Sequence, residues 1–282
     1  KKHPPGLYLL FFTEMWERFS YYGMRGILVL YLTSELFAGG LGMSATTAMS
    51  IYGFYTGAVY ITPLIGGWLS DMYLGKRLAI TIGGISMALG NFFIFLQQEK
   101  WALFVGMALL IIGNGFFKPN ISSLVGDLYD TTDPKRDAAF TIFYMGINIG
   151  AFFAPLIIAL ITDKIMGGMT PEGMVYGYKW GFLASSIGMI IGQVLFNLLG
   201  NKYLGDLGKK PTGRVVTDKG EAEKRPLTKK EKERTAVILI LACFVVFFWA
   251  GFEQAGSSLT LYTRDFVDRT IFGFEIPSAW FQ

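Results

Sequence analysis

LYLLFFTEMWERFSYYGMRGILVLYL, residues 7–32, is long enough to cross a bilayer as one helix and yet carries Glu14, Glu17, Arg18 and Arg25. A charged side chain near the bilayer centre costs about 2.5–3.5 kcal/mol even on the lenient insertion scale. Four unpaired charges would therefore cost on the order of 10 kcal/mol. The stretch can form a membrane helix only if its charges pair or face water inside a helix bundle, and such residues indicate a functional site.

The polar groups of this first helix share one face. At about 100° per residue, an arc of about 140° holds them all: Glu14, Glu17, Arg18, Tyr21, Tyr22 and Arg25. Glu14 and Arg18 also have the favourable i, i+4 spacing of an acid before a base. A cluster that only holds helices together is the alternative interpretation. Buried ion pairs rarely add net stability over apolar packing, which favours a functional cluster.

The composition places the whole chain in one class. Its 282 residues are 52% hydrophobic and 16% charged, whereas a soluble domain has about 25% charged residues. This is the composition of a helical protein that crosses the membrane several times. The net charge of +4 is small and the basic residues lie mainly in loops, so nucleic-acid binding is not predicted. With one cysteine, Cys243, and one histidine, His3, neither a disulfide, a Ser-His-Asp triad nor a Cys or His metal site can form within these residues.

The hydropathy pattern predicts seven membrane spans, at about residues 7–34, 44–70, 77–97, 101–127, 136–163, 178–200 and 235–263. The predicted fold class is an all-α membrane protein with three parts. Residues 1–200 form a six-helix transmembrane bundle, 201–234 a basic cytoplasmic linker, and 235–282 the first helix of a second bundle with the loop that follows. Six spans, a linker and a further span match a transporter built from two six-helix halves, and we expect the second half to be missing from these residues.

The distribution of basic residues predicts the orientation in the membrane. One side would hold the linker together with Lys1, Lys2, Lys76, Arg77, Lys135 and Arg136. The other side would hold Lys100, Lys164, Lys179, Arg264 and Arg269. Since basic residues favour the cytoplasmic side, we expect a multi-pass protein of the cell membrane whose N-terminus and linker are cytoplasmic.

Two further charges lie inside predicted spans. Lys118 precedes Pro119 in span 4, where the proline should kink the helix, and the acids of span 1 are its candidate partners. Glu253 is a lone carboxylate in span 7, and Arg25 is its candidate partner. The alternatives are a lysine that snorkels to the interface and a carboxylate that faces water near the helix end.

A tight turn between spans 2 and 3 carries another acid. GGWLSDMYLGKR, residues 66–77, combines glycines that allow close helix approach with Asp71. We expect Asp71 to interact with a helix N-terminus or with the nearby basic residues. It would set a hinge or gate and would not bind substrate.

Together these residues resemble the proton-dependent oligopeptide transporter (POT, or PTR) family of the major facilitator superfamily. EMWERFSYYG, residues 14–23, is similar to the family's ExxERFxYYG motif in helix 1. FTIFYMGINIGAF, residues 140–152, resembles the helix 5 signature centred on Asn148. Residues 66–75 resemble the helix 2–3 signature, which the superfamily shares more widely. The resemblance covers essentially the whole chain, and the first two motifs are specific.

The resemblance implies a set of substrate-binding residues: Arg18, Tyr22, Tyr60, Lys118, Asn148 and Trp249. Arg18, Tyr22 and Lys118 would hold the peptide carboxylate. Tyr60 would line the pocket, and Asn148 would hydrogen-bond the peptide backbone near its amino end. The family's helix 10 glutamate, which holds the peptide amino group, would lie beyond residue 282.

The resemblance also implies proton-coupling residues, Glu14, Glu17 and Glu253, and the gating residues Arg25 and Glu253, to which the turn between spans 2 and 3 adds Asp71. Glu14 and Glu17 would pair with Arg18 and Lys118, and protonation would loosen that network. Glu253 would pair with Arg25 and gate the outer side, with Trp249 nearby. One departure is that the helix 2 histidine of the family's mammalian-type members is absent, the corresponding position being Gly53, so proton coupling must depend on carboxylates.

The predicted function is proton-coupled symport of di- and tripeptides by alternating access, with protons as the coupling ion and no other cofactor. A carrier of the same fold for nitrate or an amino-acid derivative is one alternative, and a non-transporting membrane receptor is another. An enzyme is not predicted, because no nucleophile–base set or metal site is visible. The expected partners are a small peptide, protons and the lipid bilayer, and we expect the protein to work as a monomer.

Overall fold

The computed structural model describes residues 2–213 and 228–282. These residues form eight α-helices: α1 Pro5–Thr33, α2 Ala45–Leu69, α3 Lys76–Leu96, α4 Lys100–Asp127, α5 Lys135–Ala159, α6 Tyr178–Leu204, α7 Lys229–Phe252 and α8 Ser258–Phe266. Short π-helical turns extend α2 and α5, at Ser70–Leu74 and Leu160–Ile165, and 3-10 turns lie at Glu253–Gly256 and Ser278–Phe281. Two antiparallel hairpins lie in loops: β1 Gly168–Thr170 with β2 Gly173–Val175, and β3 Thr270–Ile271 with β4 Phe274–Glu275.

The first six helices agree with the predicted spans to within a few residues, but the seventh does not. The predicted span 235–263 is wrong as one continuous helix, because α7 ends at Phe252 and α8 begins at Ser258. The break falls at Gly256 and Ser257, two weak helix formers, before α8 begins at Ser258. Helix α7 also starts early. Thr228 and Glu231 form a capping box there, in which each side chain accepts a hydrogen bond from the other's backbone N–H.

The predicted linker overlaps both neighbouring helices. It begins within the last turn of α6, it includes the first residues of α7, and its central part, residues 214–227, lies outside the described residues. The residues after α6 fold back onto the start of α3. Arg77 N donates to Gly208 O at 2.9 Å, and Arg77 Nη1 donates to Gly205 O at 3.0 Å.

Within the described residues, five helical stretches are long and apolar enough to cross a membrane: α3, α4, α5 with its π-helical turn, α6, and α7 with the 3-10 turn after it. Helices α1 and α2, of 29 and 25 residues, are also long enough. Their sequences explain why these two helices are less apolar than the other five stretches. The charges of α1 are crowded into its middle, and α2 is interrupted by tyrosine, threonine, glycine and Pro63. The fold class predicted from the sequence, an all-α membrane bundle, is confirmed.

Helix packing puts α1 at the centre of the bundle. It packs against α5 on one side and α6 on the other, α3 packs against α4 and α6, and α2 packs on α4. Glycines allow the closest of these contacts, as is common between membrane helices. A Cβ on Gly83 of α3 would lie 2.6 Å from the carbonyl oxygen of Gly113 in α4, and a Cβ on Gly113 would meet Gly83 in the same way.

Residues 253–282 contact the bundle at one end of it. Arg264 Nη1 donates to Thr33 Oγ1 at 2.8 Å, and Gln282 Nε2 donates to Gly26 O at 2.9 Å. Trp280 Nε1 donates to Leu156 O near the end of α5. By contrast, α7 contains no buried residue in the described structure. The part of the chain after α7 is therefore held against the second halves of α1 and α5.

Replacing Gly66 with alanine is expected to destabilise the bundle. A Cβ at Gly66 of α2 would clash with the backbone carbonyl of Gly115 in α4, which cannot move aside as a side chain could. Overpacking of this kind costs about 1–3 kcal/mol. Gly57→Ala in the same helix is the matched control, because nothing lies within 4 Å of its Cβ position. Thermal unfolding in detergent should show a lower midpoint for Gly66→Ala than for Gly57→Ala, and equal midpoints would contradict the packing described.

Candidate functional site

The charges in the middle of α1 form a compact, buried cluster. Arg18 Nη2 donates to Glu17 Oε1 at 2.7 Å, and Arg18 Nε contacts Glu17 Oε2. Arg18 Nε also lies 3.1 Å from Glu14 Oε1. The residues are 2% (Glu14), 0% (Glu17) and 4% (Arg18) exposed. The ring of Tyr21, on the same face of the helix, lies 5.1 Å from the guanidinium carbon of Arg18.

The cluster holds two carboxylates and one guanidinium. The planar fork of Arg18 matches both oxygens of Glu17, and Glu14 lies one helical turn before Arg18. Glu14 Oε2 has no hydrogen-bond partner among the described residues. With both acids ionised the cluster carries one uncompensated negative charge, which is costly in a buried place. A proton or a further cation can remove that charge.

Lys118 of α4 does not pair with these acids. The close ion pair expected with the acids of α1 is not formed, because no carboxylate in the described structure lies within 4.0 Å of its ammonium group, although Glu14 and Glu17 attract it from further away. Its Nζ instead lies 5.2 Å from the centroid of the Tyr60 ring in α2. Lys118 is half-buried, so a ligand's anionic group can approach the ammonium group.

A second ionic group joins α1, α2 and the end of α7. Arg25 Nη2 donates to Glu253 Oε2 at 2.7 Å, the partner expected from the sequence. Arg25 Nε donates to the hydroxyl of Tyr52 in α2 at 2.7 Å, and that hydroxyl lies 3.4 Å from Glu253 Oε2. The three side chains form a closed triangle beside Gly256, where a Cβ would collide with the Tyr52 hydroxyl.

The remaining predicted substrate-binding residues are not all in contact with each other. Tyr22 is half-buried, with its ring 5.7 Å from the guanidinium carbon of Arg25. Tyr60 is 54% exposed beside Lys118. Trp249 is 45% exposed and packs its ring against Phe248 and Phe252 of its own helix. Asn148 is exposed on α5. The structure therefore brings Tyr22 to Arg25 and Tyr60 to Lys118, and it places Asn148 and Trp249 on exposed faces of their helices.

Asp71 lies in the π-helical turn that follows α2. Its carboxylate accepts a hydrogen bond from Thr212 Oγ1 at 3.3 Å, and its carbonyl oxygen accepts one from Gly213 N at 3.0 Å. The expected contact with nearby basic residues is wrong for the described part of the chain. Lys76 pairs with Asp127 at 2.5 Å, and Arg77 is directed towards the end of α6. Asp71 therefore contacts the segment between α6 and the linker, and its role as a hinge or gate stays a prediction.

Two polar residues of the site region were missed in the sequence. Tyr52 was overlooked because tyrosines are common in α2, although its position about two helical turns before Tyr60 was a usable signal. Asn114 lies one turn before Lys118, is 1% exposed, and has no hydrogen-bond partner for either polar atom among the described residues. Buried amides usually bond to protein or to ordered water. Helix periodicity puts Asn114 and Lys118 on the same side of α4.

Comparison with known proteins shows that this chain is similar to the members of one transporter family. A model of the POT family matches residues 77–222 and 208–282. An uncharacterized transporter of Bacillus subtilis (strain 168) is 37% identical over 99% of this chain and 64% of its own length. A peptide transporter of Yersinia enterocolitica is 33% identical over 99% of this chain and likewise 64% of its own length. The crystal structure of a peptide transporter POT in complex with sulfate, 33% identical, superposes with a TM-score of 0.81 over 99% of this chain and 65% of that one. The chain thus spans about 64% of the length of these curated relatives.

Proposed function

The chain belongs to the POT family, and from this premise we propose that its complete protein is a proton-coupled symporter of di- and tripeptides that works by alternating access. The observation that carries the proposal is the separation of the site's charges into two groups. Arg18 is held by two carboxylates, while Lys118 has an aromatic neighbour and no ion pair within the described residues. One group can take up a proton, and the other can take an anionic ligand.

Substrate binding would begin at Lys118, the cation that has no ion pair among the described residues. A di- or tripeptide is a zwitterion, and its carboxylate fits Lys118, with the hydroxyl of Tyr60 beside it. Arg18 and Tyr22 would complete this carboxylate site once Arg18 is released from one of its acids. Asn148 and Trp249, both exposed, would contact the peptide backbone and side chains.

Proton coupling would follow from competition for Arg18. A proton on Glu14 or Glu17 removes the excess negative charge and weakens the hold on the guanidinium. Arg18 can then bond the peptide carboxylate, so that proton and peptide favour each other's binding. A membrane potential supplies about 2.3 kcal/mol per charge per 100 mV, which is enough to drive accumulation of a net-neutral peptide that enters with a proton.

Alternating access would use the Arg25–Tyr52–Glu253 triangle as a gate. Residues 253–282 are held to the bundle at the second half of α1. These contacts support a state that is closed at the end where α1 finishes. Protonation of Glu253 would remove the charge that holds Arg25, and the two parts could then rock apart. With the N-terminus in the cytoplasm, the closed end would be the outer one.

A carrier for another carboxylate solute is the second candidate. One observation favours it: the cations Lys118 and Arg18, each beside a tyrosine ring, fit a carboxylate, and a carboxylate is not restricted to peptides. An amino-acid derivative presents the same carboxylate. The site would distinguish the two through the peptide bond, for which Asn148 is the proposed partner.

The test is peptide-induced proton flux in proteoliposomes that contain the complete protein. Dialanine and trialanine should acidify the lumen of vesicles carrying a pH-sensitive dye and should compete with each other. Alanine, nitrate and tetraalanine should not compete. Proton flux with an amino-acid derivative but without competition by dialanine would favour the second candidate. Absence of flux with every solute would contradict a transport function.

Replacing Tyr52 with phenylalanine is expected to lower the uptake rate by several-fold while leaving the fold intact. The change removes one neutral hydrogen bond of about 0.5–1.5 kcal/mol and leaves Arg25 Nε without its partner. Tyr73→Phe is the control, because Tyr73 is exposed and contacts Trp68 only through its ring. Initial dipeptide uptake should separate the two variants, and equal rates would remove Tyr52 from the gate.

Replacing Glu253 with glutamine is expected to reduce proton-driven uptake by at least about tenfold, since hydrogen bonds to charged groups contribute about 1.5–3 kcal/mol. Arg25 would lose its only carboxylate partner in the described structure. The matched control is Glu275→Gln, which breaks an ion pair with Arg269 in the neighbouring hairpin. If both variants transport as the wild type does, the Arg25–Glu253 pair is not a gate.

A further inference from the structure

The outward faces of α3 and α6 enclose an apolar groove, away from the charged site. Ile85, Leu89 and Phe92 of α3 form one wall, and Ile190 and Val194 of α6 form the other. Its volume is about 470 Å³, and its floor is formed by small residues of the two helices. Both helices are apolar and long enough to cross a membrane, so this groove opens towards the lipid.

At one end of the groove, hydrogen bonds join the side chains of Thr81, Gln193 and Asn197, which we call the polar step. Thr81 Oγ1 of α3 donates to Asn197 Oδ1 of α6 at 2.9 Å, and Gln193 Nε2 donates to the same oxygen at 3.1 Å. Gln193 is 5% exposed and lines the groove, yet its Oε1 has no hydrogen-bond partner among the described residues. Buried polar atoms without a partner are uncommon in proteins. That oxygen is turned towards Gly84 between the helices, and this end of the groove is polar through the side chains of Gln193 and Asn197, which line it.

Arg77 lies one turn beyond the polar step. Its Nη2 donates to Asn201 Oδ1 at 3.0 Å, and its Nη1 donates to the carbonyl of Gly205 at 3.0 Å. Both acceptors are uncharged, and within residues 2–213 and 228–282 no carboxylate lies within 4.0 Å of its guanidinium. The acid that acts on it from further away, Asp206, is paired with Lys209 at 2.8 Å. Arg77 is therefore a fixed cation whose charge is not neutralised by a close partner.

We propose that this groove binds an anionic phospholipid, with the phosphate at Arg77 and one acyl chain along the groove. Arginine bonds phosphate oxygens through two parallel N–H groups, and basic pockets between membrane helices bind anionic headgroups. The polar step from Gln193 to Asn197 lies at the depth of the glycerol and ester groups. By the basic-residue bias, the lipid belongs to the cytoplasmic leaflet. The site is separate from the peptide site and does not depend on transport.

A second groove in the same bundle provides an internal control. It lies between α1, α5 and α6, with Phe153, Ile187 and Ile191 among its lining residues, and has a similar volume of about 450 Å³. Among the described residues, no charged one lines either groove, and the polar residues Gln193 and Asn197 line only the first one. The second groove can accept an acyl chain but does not adjoin Arg77, so filling it should not affect a headgroup preference that depends on Arg77.

The experiment measures lipid retention by native mass spectrometry of the complete protein, titrated with phosphatidylglycerol or phosphatidylcholine of the same acyl chains. Wild type should retain phosphatidylglycerol about fivefold more strongly, as one basic residue near the membrane surface contributes about 1 kcal/mol. Arg77→Gln should remove this preference. Leu89→Trp, which fills the groove, should lower retention, whereas Ile187→Trp in the second groove should not change the preference.

Three outcomes would overturn the proposal. The first is equal retention of the two lipids by wild type. The second is an unchanged preference in folded Arg77→Gln. The third is unchanged retention in Leu89→Trp, which decides the question if Arg77→Gln fails to fold. Inorganic phosphate added at the same concentration should not displace the lipid, because it lacks the acyl chain that fills the groove.

Discussion

Lys118→Ala is expected to abolish proton-driven dipeptide uptake while leaving the protein folded. Lys118 has no ion pair among the described residues, so its removal leaves no buried acid without a partner. It does remove the cation proposed to hold the peptide carboxylate, a charged contact of about 1.5–3 kcal/mol. Peptide affinity should fall by about 10- to 100-fold, since 1.4 kcal/mol corresponds to tenfold.

The control for Lys118 is Lys179→Ala, at the start of α6, which is exposed and lies beside Trp180. Both variants are reconstituted at equal protein content, and initial uptake of labelled dialanine is measured with an inward proton gradient. Uptake at the wild-type rate in Lys118→Ala would show that the lysine is not part of the substrate site. A parallel loss in Lys179→Ala would point to a general defect of reconstitution.

Glu17→Gln is the second change with a large expected effect. It removes the acid that binds Arg18 through both oxygens and leaves Glu14 as the remaining partner. The cluster then becomes neutral without a proton, so peptide binding at Arg18 no longer depends on protonation of the cluster. We expect proton-driven accumulation to be lost, whereas exchange of peptide for peptide across the vesicle membrane, which needs no net proton movement, is retained.

The separation of these two activities distinguishes coupling from stability. A structural role for Glu17 would reduce exchange and driven uptake together, along with the unfolding midpoint. Glu172→Gln in the exposed β1–β2 turn is the matched control, because its carboxylate lies outside the helices. Driven uptake in Glu17→Gln at the wild-type rate and with the wild-type dependence on pH would refute the coupling role.

The helices themselves could be predicted from the sequence because apolar runs of membrane length are long signals with clear ends. The Arg25–Glu253 pair could also be predicted, since a lone carboxylate in an apolar helix needs a cation and few are present. The end of α7 could not be predicted from the sequence. Its break depends on a local run of glycine and serine inside an otherwise apolar segment, and hydropathy averages over such a run.

The partner of Lys118 was beyond sequence reasoning for a different reason. Charge alone made Glu14 and Glu17 the candidate partners, but Arg18 is close in the chain and pairs with both acids, most fully with Glu17. Which aromatic ring then faces the lysine depends on how α2 packs on α4, a long-range property. Tyr52 was missed in the same way, because its partners come from α1 and from the end of α7.

In the proposed mechanism, proton and peptide act on one set of charges. Calorimetric titration of the complete protein with dialanine, in buffers of different ionisation enthalpy, counts the protons taken up as the peptide binds. By reciprocity of linked binding, a proton that strengthens peptide binding must itself be taken up with the peptide. We predict net proton uptake in wild type and a clearly smaller value in Glu17→Gln. Dialanine binding with no proton uptake at any pH would contradict the account.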